Sequence, residues 1–574
     1  MTPVTQLVGQ RGRGRCRDVP RPGWRAAVLA AAAVPVLPVA VIAVETLTPS
    51  PAVWAQLWDT RLPAMLVTTA ALLVVVGLGT LALGAGLAWL VTAHDFPGRQ
   101  TLSWLLVLPI AMPAYILGFV FLALLDHAGP AQTALRTVFG PDVWFPEIRS
   151  VLGAGVVLTL TLYPYVYLLA RSAIGEHAAA TVDVARTLGL SRWRTATRVV
   201  LPLARPSLAA GGALVAMETL TDFATVQYFN VETVSVGIYR IWNGMLDRGA
   251  ASELAGLVLV IALALLAGER LLRGRARYHQ STGGGRGVAP VRLIGWRGWL
   301  ATGVCVGVLG AAVGIPTLQL LAWSGLPGWG GQAGLAQGRF VINLANSGLL
   351  AAVTAGLCVA LALVVAHGTR MAGGSVTRRA ARLSMVGYAV PGVILAVGVL
   401  ALFTGLDAPM EAVGLPGARP LVTGTLMGVV VAYVARFVAV AYGALDAGAE
   451  RLSPSMTMSA LALRASGTRV LTRVHLPLLR GGLGVAAVLV AIDAIKELPM
   501  VLLLRPFGFE SLSVRVWTLA GESLWAQAAL PALVIVAVSA VPVVVLFRQS
   551  TTGPGMPALA AADDSPPPHQ AVGR

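Results

Sequence analysis

DVARTLGLSRWRTATRVVLP, residues Asp183 to Pro202, is a polar, arginine-rich stretch set between two long apolar runs. Gly189 separates two short pieces of helical character, and Leu188, Trp193, Ala196 and Val199 with Val200 recur at roughly helical spacing. An apolar stripe on an otherwise basic segment is what a helix needs in order to dock on a partner. Pro202 is expected to end that helix, because proline cannot continue the hydrogen-bond ladder. The stretch therefore reads as a docking loop held at a membrane surface by the spans on either side.

The rest of the chain agrees. Of 574 residues, 56% are hydrophobic and 12% charged, with a mean hydropathy of +0.77, which excludes a soluble multidomain protein. Apolar runs of spanning length recur at 26–44, 64–92, 102–125, 150–170, 206–226, 252–268, 298–322, 343–366, 383–403, 421–442, 482–504 and 527–547. The expected fold is an all-α integral membrane protein of about twelve spans. A net charge of +17 raises nucleic acid as a partner, but no basic and aromatic residues interleave as a recognition module would require. Cys16, Cys305 and Cys358 have neither metal nor redox spacing and read as small hydrophobes. His94, His127, His177, His367 and His475 fall near loop edges, where solvation is expected.

Topology follows from charge. Residues 1–25, a basic tail with six arginines, precede the first apolar run. That run reads as an uncleaved span, with a cleavable signal peptide as the rival. Of the 42 lysines and arginines, 32 fall in segments that alternate to one side of the twelve spans, counting Arg436 among them. The positive-inside rule then makes both termini cytoplasmic. Residues 269–297, basic and glycine-rich, read as a flexible cytoplasmic linker between halves 26–268 and 298–547, and the proline-rich tail 548–574 as disordered. Six spans per half make the halves a parallel repeat.

The repeat is visible in single residues. A shift of 275 places Leu201-Pro202-Leu203 on Leu476-Pro477-Leu478, Glu218 on Asp493 and Asp222 on Glu497. Each half thus has an LP-terminated loop, at 172–205 and 443–480, followed by two carboxylates spaced i,i+4, expected on one face of an apolar helix. Charge at membrane depth is expensive, so Glu218, Asp222, Asp493 and Glu497, with Lys496 among them, are candidates for lining a translocation path suited to a hard cation. The alternatives stay open: pairing of Asp493 or Glu497 with Lys496 or Arg436, or a place at watered outer helix ends. No histidine or cysteine joins them at ligand spacing, so no permanent metal is expected. Met112-Pro113 and Val390-Pro391 mark candidate kinks, and Tyr163, Tyr165 and Tyr167 a packing or interfacial cluster. Lys496 is the sole lysine. A phosphate-binding P-loop, which needs a lysine after its glycines, is therefore absent.

These residues carry a family resemblance. Asp183-Val184-Ala185, Gly189, Val199, Leu201 and Pro202 follow the EAA signature of permeases in ATP-binding-cassette importers, with aspartate for glutamate and valine for alanine and isoleucine. The second half keeps Val474, Leu476 and Pro477 but has Met458 at the acidic position and Arg464 at the glycine, a degenerate copy. With DFPGR (Asp95 to Arg99), LPIAMPAYILG (Leu108 to Gly118), METLTDFATVQYF (Met217 to Phe229) and KELPMVLLLRPFGFESL (Lys496 to Leu512), nearly the whole chain resembles the fused two-half ferric-iron permeases. The resemblance implies a type I importer fold in the cell's inner membrane. It implies a periplasmic or lipid-anchored substrate-binding protein, and two copies of a separate ATPase docked on the two loops. It implies that ATP is used by that partner while this chain binds no cofactor. Ferric iron is the implied solute, with thiamine, a polyamine or another small solute as alternatives. A secondary transporter is the rival class; an enzyme is not expected.

Overall fold

The structure is a computed structural model that describes residues 22–242, 248–273, 290–325, 338–412, 423–449 and 453–552. The basic tail to residue 21, linker residues 274–289 and the tail from 553 lie outside the described residues. Among the described residues, eleven helices are long and apolar enough to cross a membrane. A twelfth arises if Gly374–Ala389 and Gly392–Asp407, bent by 114°, count as one broken span. The break falls at Val390-Pro391, and in the first half helix Ala114–Leu125 likewise begins after Met112-Pro113. Each proline lacks the N–H that would carry the helix through.

The spans face lipid on one side and protein on the other. On helix Leu62–Ala93 the buried residues Leu62, Met65, Thr69, Leu72, Val76, Thr80, Gly84 and Leu87 recur every three or four positions, while Val67, Val74 and Leu78 are exposed. Both stripes are apolar, as hydrocarbon requires. Close approach comes from small residues: a Cβ on Gly84 would sit 2.9 Å from the Tyr163 carbonyl oxygen of helix Val151–Thr187.

The two halves repeat hydrogen bond by hydrogen bond. Thr69 Oγ1 accepts from Val234 N at 3.1 Å in the first half, and Ser347 Oγ from Leu512 N at 2.7 Å in the second. The helices so anchored, Val234–Arg240 and Leu512–Gly521, are N-capped by Thr233 and Ser511.

The halves are also exchanged. Helix Pro22–Leu47 packs on second-half helices Gly338–Ala372, Gly392–Ala412 and Leu426–Ala449, burying Val28, Ala31, Ala32 and Ile42. A Cβ on Gly398 would lie 2.4 Å from the Pro38 carbonyl oxygen, so the two backbones nearly touch. The first apolar run is thus integral to the bundle. Reciprocally, the Trp296–Trp323 span packs on Arg99–Leu105 and Ala114–Leu125 of the first half. Within the segment expected to be a flexible linker, helix Arg248–Arg273 extends to 273, and Val291–Arg292 forms a parallel ladder with His94–Asp95. Thr302 Oγ1 donates to the Pro97 carbonyl at 2.8 Å. The linker reading is therefore narrowed to its middle, because the exchanged span must be pinned to the first half before it enters the bundle.

Candidate functional site

The two LP loops share one backbone. Helix Val151–Thr187, about 55 Å long at 1.5 Å per residue, carries Asp183 past the end of its span; that side chain lies outside the described set. The chain then turns at Gly189, whose φ of +79° is left-handed, and Leu190 N donates to the Ala185 carbonyl at 3.1 Å. In the second half Arg464 occupies the same position at φ +59°, and Ala465 N donates to the Ala460 carbonyl at 3.1 Å. Ser191 Oγ and its counterpart Ser466 Oγ accept from Arg194 N and Arg469 N. The second loop is degenerate in sequence and intact in conformation. Leu188 and its counterpart Leu463 stand out at 75% and 84% exposure, and Met458 is also exposed.

Pro202 and Pro477 do not end their helices, contrary to the expectation. Helical structure runs from Arg192 to Thr221 and from Gly467 to Lys496, each with a π turn, Ala196–Val200 and Leu471–His475, just before the Leu-Pro pair. Widening the helix by one residue relieves the clash of each proline ring with the preceding turn and absorbs its missing donor. Val199 lies in the first π turn and Val474 in the second, followed by Leu201 and Leu476. Each loop is thus continuous with the span that leads into the bundle.

Those spans, Leu201–Thr221 and Leu476–Lys496, run about 31 Å to the carboxylates. The i,i+4 reading needs correction here. Asp222 and Glu497 are not on the helices but follow them as C-caps with extended backbone (ψ 116° and 129°). Asp222 Oδ1 and Oδ2 accept from Thr225 N and Oγ1 at 2.9 and 2.7 Å, and Glu497 Oε1 accepts from Met500 N at 3.4 Å. Each therefore caps the short helix that follows, Ala224–Tyr228 or Pro499–Leu504.

Glu218, Asp222, Asp493, Lys496 and Glu497 nevertheless converge on one cavity of about 170 Å³ between the halves, joined there by Arg436. The pairing held open from sequence is present, between side chains that also line the cavity. Lys496 Nζ lies 2.8 Å from Asp493 Oδ1 one turn back on its own helix, while Arg436 lies 3.8 Å from Glu218 Oε1 and 3.9 Å from Glu497 Oε2. Four carboxylates and two basic groups leave a formal charge of −2.

Arg436, counted with the loop charges from sequence, is in the middle of helix Leu426–Ala449, is 6% exposed and faces the cavity. Its place in an apolar run was the available signal. The tyrosine cluster divides: Tyr163 and Tyr167 donate to the Leu106 and Ser103 carbonyls at 2.9 and 2.7 Å, while Tyr165 lines the cavity. Two of the histidines expected to be solvated are buried instead. His367 and His475 approach Nδ1 to Nδ1 at 2.9 Å, and His475 Nε2 lies 3.0 Å from Thr457 Oγ1 on the second loop's first helix.

Two exchanged halves, paired helix–turn–helix loops, and a shared ionic cavity at the far end of the spans those loops feed define a membrane transport permease. Residues 79–269 match the family described as binding-protein-dependent transport system inner membrane component. The chain is 24% identical over 493 residues to the Fe(3+)-transport system permease protein FbpB 2 of Haemophilus influenzae, covering 86% of this chain and 91% of the relative. It is 24% identical over 400 residues to the ferric transport system permease protein FbpB of Actinobacillus pleuropneumoniae, covering 66% of this chain and 55% of the relative. It is 28% identical over 236 residues to the sulfate transport system permease protein CysT of Escherichia coli, covering 39% of this chain and 82% of the relative. Residues 79–269, in the first half, thus carry a binding-protein-dependent transport domain, and the chain as a whole is similar to a ferric-iron transport permease over most of both lengths.

Proposed function

We propose that this permease forms the inner-membrane pathway for ferric iron handed over by a periplasmic or lipid-anchored binding protein. Two copies of a separate ATPase drive it through the loops at 172–205 and 443–480, and both termini are cytoplasmic. The observation that carries the cargo assignment is the cavity, where four carboxylates from equivalent positions of the two halves line a net-negative path with oxygen donors, without forming a metal-holding cluster among the described residues. The ferric relatives, one of them matched over most of both chains, favour the same cargo.

The mechanism is alternating access. When ATP draws the ATPase pair together, the two turns around Gly189 and Arg464, with the exposed Leu188 and Leu463 as their apolar contacts, move toward each other. Unbroken helix from Arg192 to Thr221 and from Gly467 to Lys496 conveys that motion to Asp222 and Glu497 at the cavity. The short helices those residues cap move with them. Iron passes between carboxylates and is not retained.

The test is ATP-dependent uptake of radiolabelled iron by proteoliposomes holding the permease, its ATPase and the loaded binding protein. Uptake of iron, lost on replacing Glu218 and Asp493 by glutamine and asparagine, is the expected outcome. Sulfate uptake without iron uptake, or iron uptake that persists without any ATPase, overturns the reading.

A further inference from the structure

We propose that Arg436 is a tethered stand-in for the cargo: in the empty cavity its guanidinium latches the two halves together through Glu218 and Glu497, and an arriving cation displaces it. This rests on reading the cavity as a cation path. Arg436 belongs to the second half and Glu218 to the first, so the 3.8 Å pair between them joins the halves. The other basic group does no such thing, because Lys496 pairs at 2.8 Å with Asp493 of its own helix.

Three observations distinguish a latch from a structural ion pair. The repeat shift places Thr161 at the position of Arg436, so the guanidinium is an addition to one half and not part of the shared scaffold. Its contacts to Glu218 and Glu497, 3.8 and 3.9 Å, are close enough for attraction and too long for hydrogen bonds. Its Nε and Nη1 are buried and have no hydrogen-bond partner among the described residues. The large majority of buried side-chain donors have a partner; among the described residues this guanidinium is held by charge. The backbone also leaves it room. A Cβ on Gly392 would come within 2.9 Å of Arg436 Nη1 and 3.0 Å of Glu497 Oε1, whereas the residue that follows the kink proline of the first half, Pro113, is Ala114.

The chemistry gives the direction of the switch. Without the guanidinium, Glu218 and Glu497 would face each other's charge across the cavity, and their attraction to Arg436 holds the halves together. A trivalent cation entering among the carboxylates satisfies both of them and repels Arg436. The ionic link between the halves is then broken at the moment the cavity is filled. Occupancy and opening become one event, and the motor is restrained while no cargo is present.

Basal ATP hydrolysis tests the latch without reference to any solute. In proteoliposomes containing the permease and its ATPase, with neither binding protein nor iron, Arg436→Gln is expected to raise hydrolysis at least about fivefold, the lower end of typical coupling between sites. Glu218→Gln, which cuts the same link from the other half at a more exposed position, should do the same. The double variant should exceed neither single, and Arg436→Lys should return the rate toward wild type. Unchanged basal hydrolysis in both folded single variants, or additive rates in the double, overturns the proposal. The cargo assignment fails separately: wild-type vesicles that take up no iron refute it while leaving an activated Arg436→Gln variant as evidence for the latch.

Discussion

Arg464 shows how a residue can break a sequence pattern and keep the structure. Gly189 takes a left-handed φ at no steric cost, whereas an arginine at φ +59° pays about 1–2 kcal/mol for the contact between its Cβ and its backbone. The second loop tolerates this because the turn is fixed on both sides, by the Ala465-to-Ala460 hydrogen bond and by the Ser466 cap. Arg464→Gly is therefore expected to stabilise the permease by about 1 kcal/mol and Gly189→Ala to destabilise it by a similar amount, with opposite shifts of the thermal midpoint in detergent. Equal shifts of the same sign would show that the two turns are not equivalent.

At the scale of elements, the π turns and the histidine pair govern how loops connect to spans. Pro477→Ala restores a backbone donor and removes the reason for the π turn at Leu471–His475. Closing that turn would rotate the second loop by about 100°, one residue of a helix, relative to its span. The expected result is a protein of near-normal thermal midpoint whose uptake per ATP hydrolysed falls; an unchanged ratio would mean that the turn is passive. His367 and His475, at 2.9 Å between Nδ1 atoms, can hold one proton between them and not two. His475→Val, which copies Val200 of the first half, removes the pair and is expected to lower the thermal midpoint in detergent. An unchanged midpoint would show that the pair does not hold the loop to its span.

For the whole molecule, the exchange of first spans makes each half depend on the other. Gly398 lies where helix Gly392–Ala412 meets Pro38, and Gly398→Leu would force the two backbones apart. Overpacking of this kind typically costs about 1–3 kcal/mol, so a fall in the detergent thermal midpoint is expected, with faster proteolysis of helix Pro22–Leu47. Protection equal to wild type would mean that the span is held elsewhere. Tyr228 Oη donates across the halves to the Trp517 carbonyl at 3.0 Å, beside the aromatic group of Phe223, Tyr239 and Trp517. Removing that bond in Tyr228→Phe, worth about 1 kcal/mol, should raise passive iron leak without changing ATP-driven uptake. A leak equal to wild type would place the seal between the halves elsewhere.

By itself the sequence determined the all-helical membrane fold, the repeat, the paired loops and the positions of the carboxylates in the chain. Apolar run length, charge bias and proline or glycine punctuation are local quantities that hydrocarbon and backbone geometry translate directly into structure. The tertiary structure alone decided that Asp222 and Glu497 are caps beyond their helices, that Pro202 and Pro477 are bridged by π turns, and that each first span packs on the opposite half. It also decided that Arg436 and His367 face partners more than a hundred residues away. Those outcomes depend on which surfaces meet, and a one-dimensional pattern of apolar and charged residues does not encode which of several apolar faces is turned toward which neighbour.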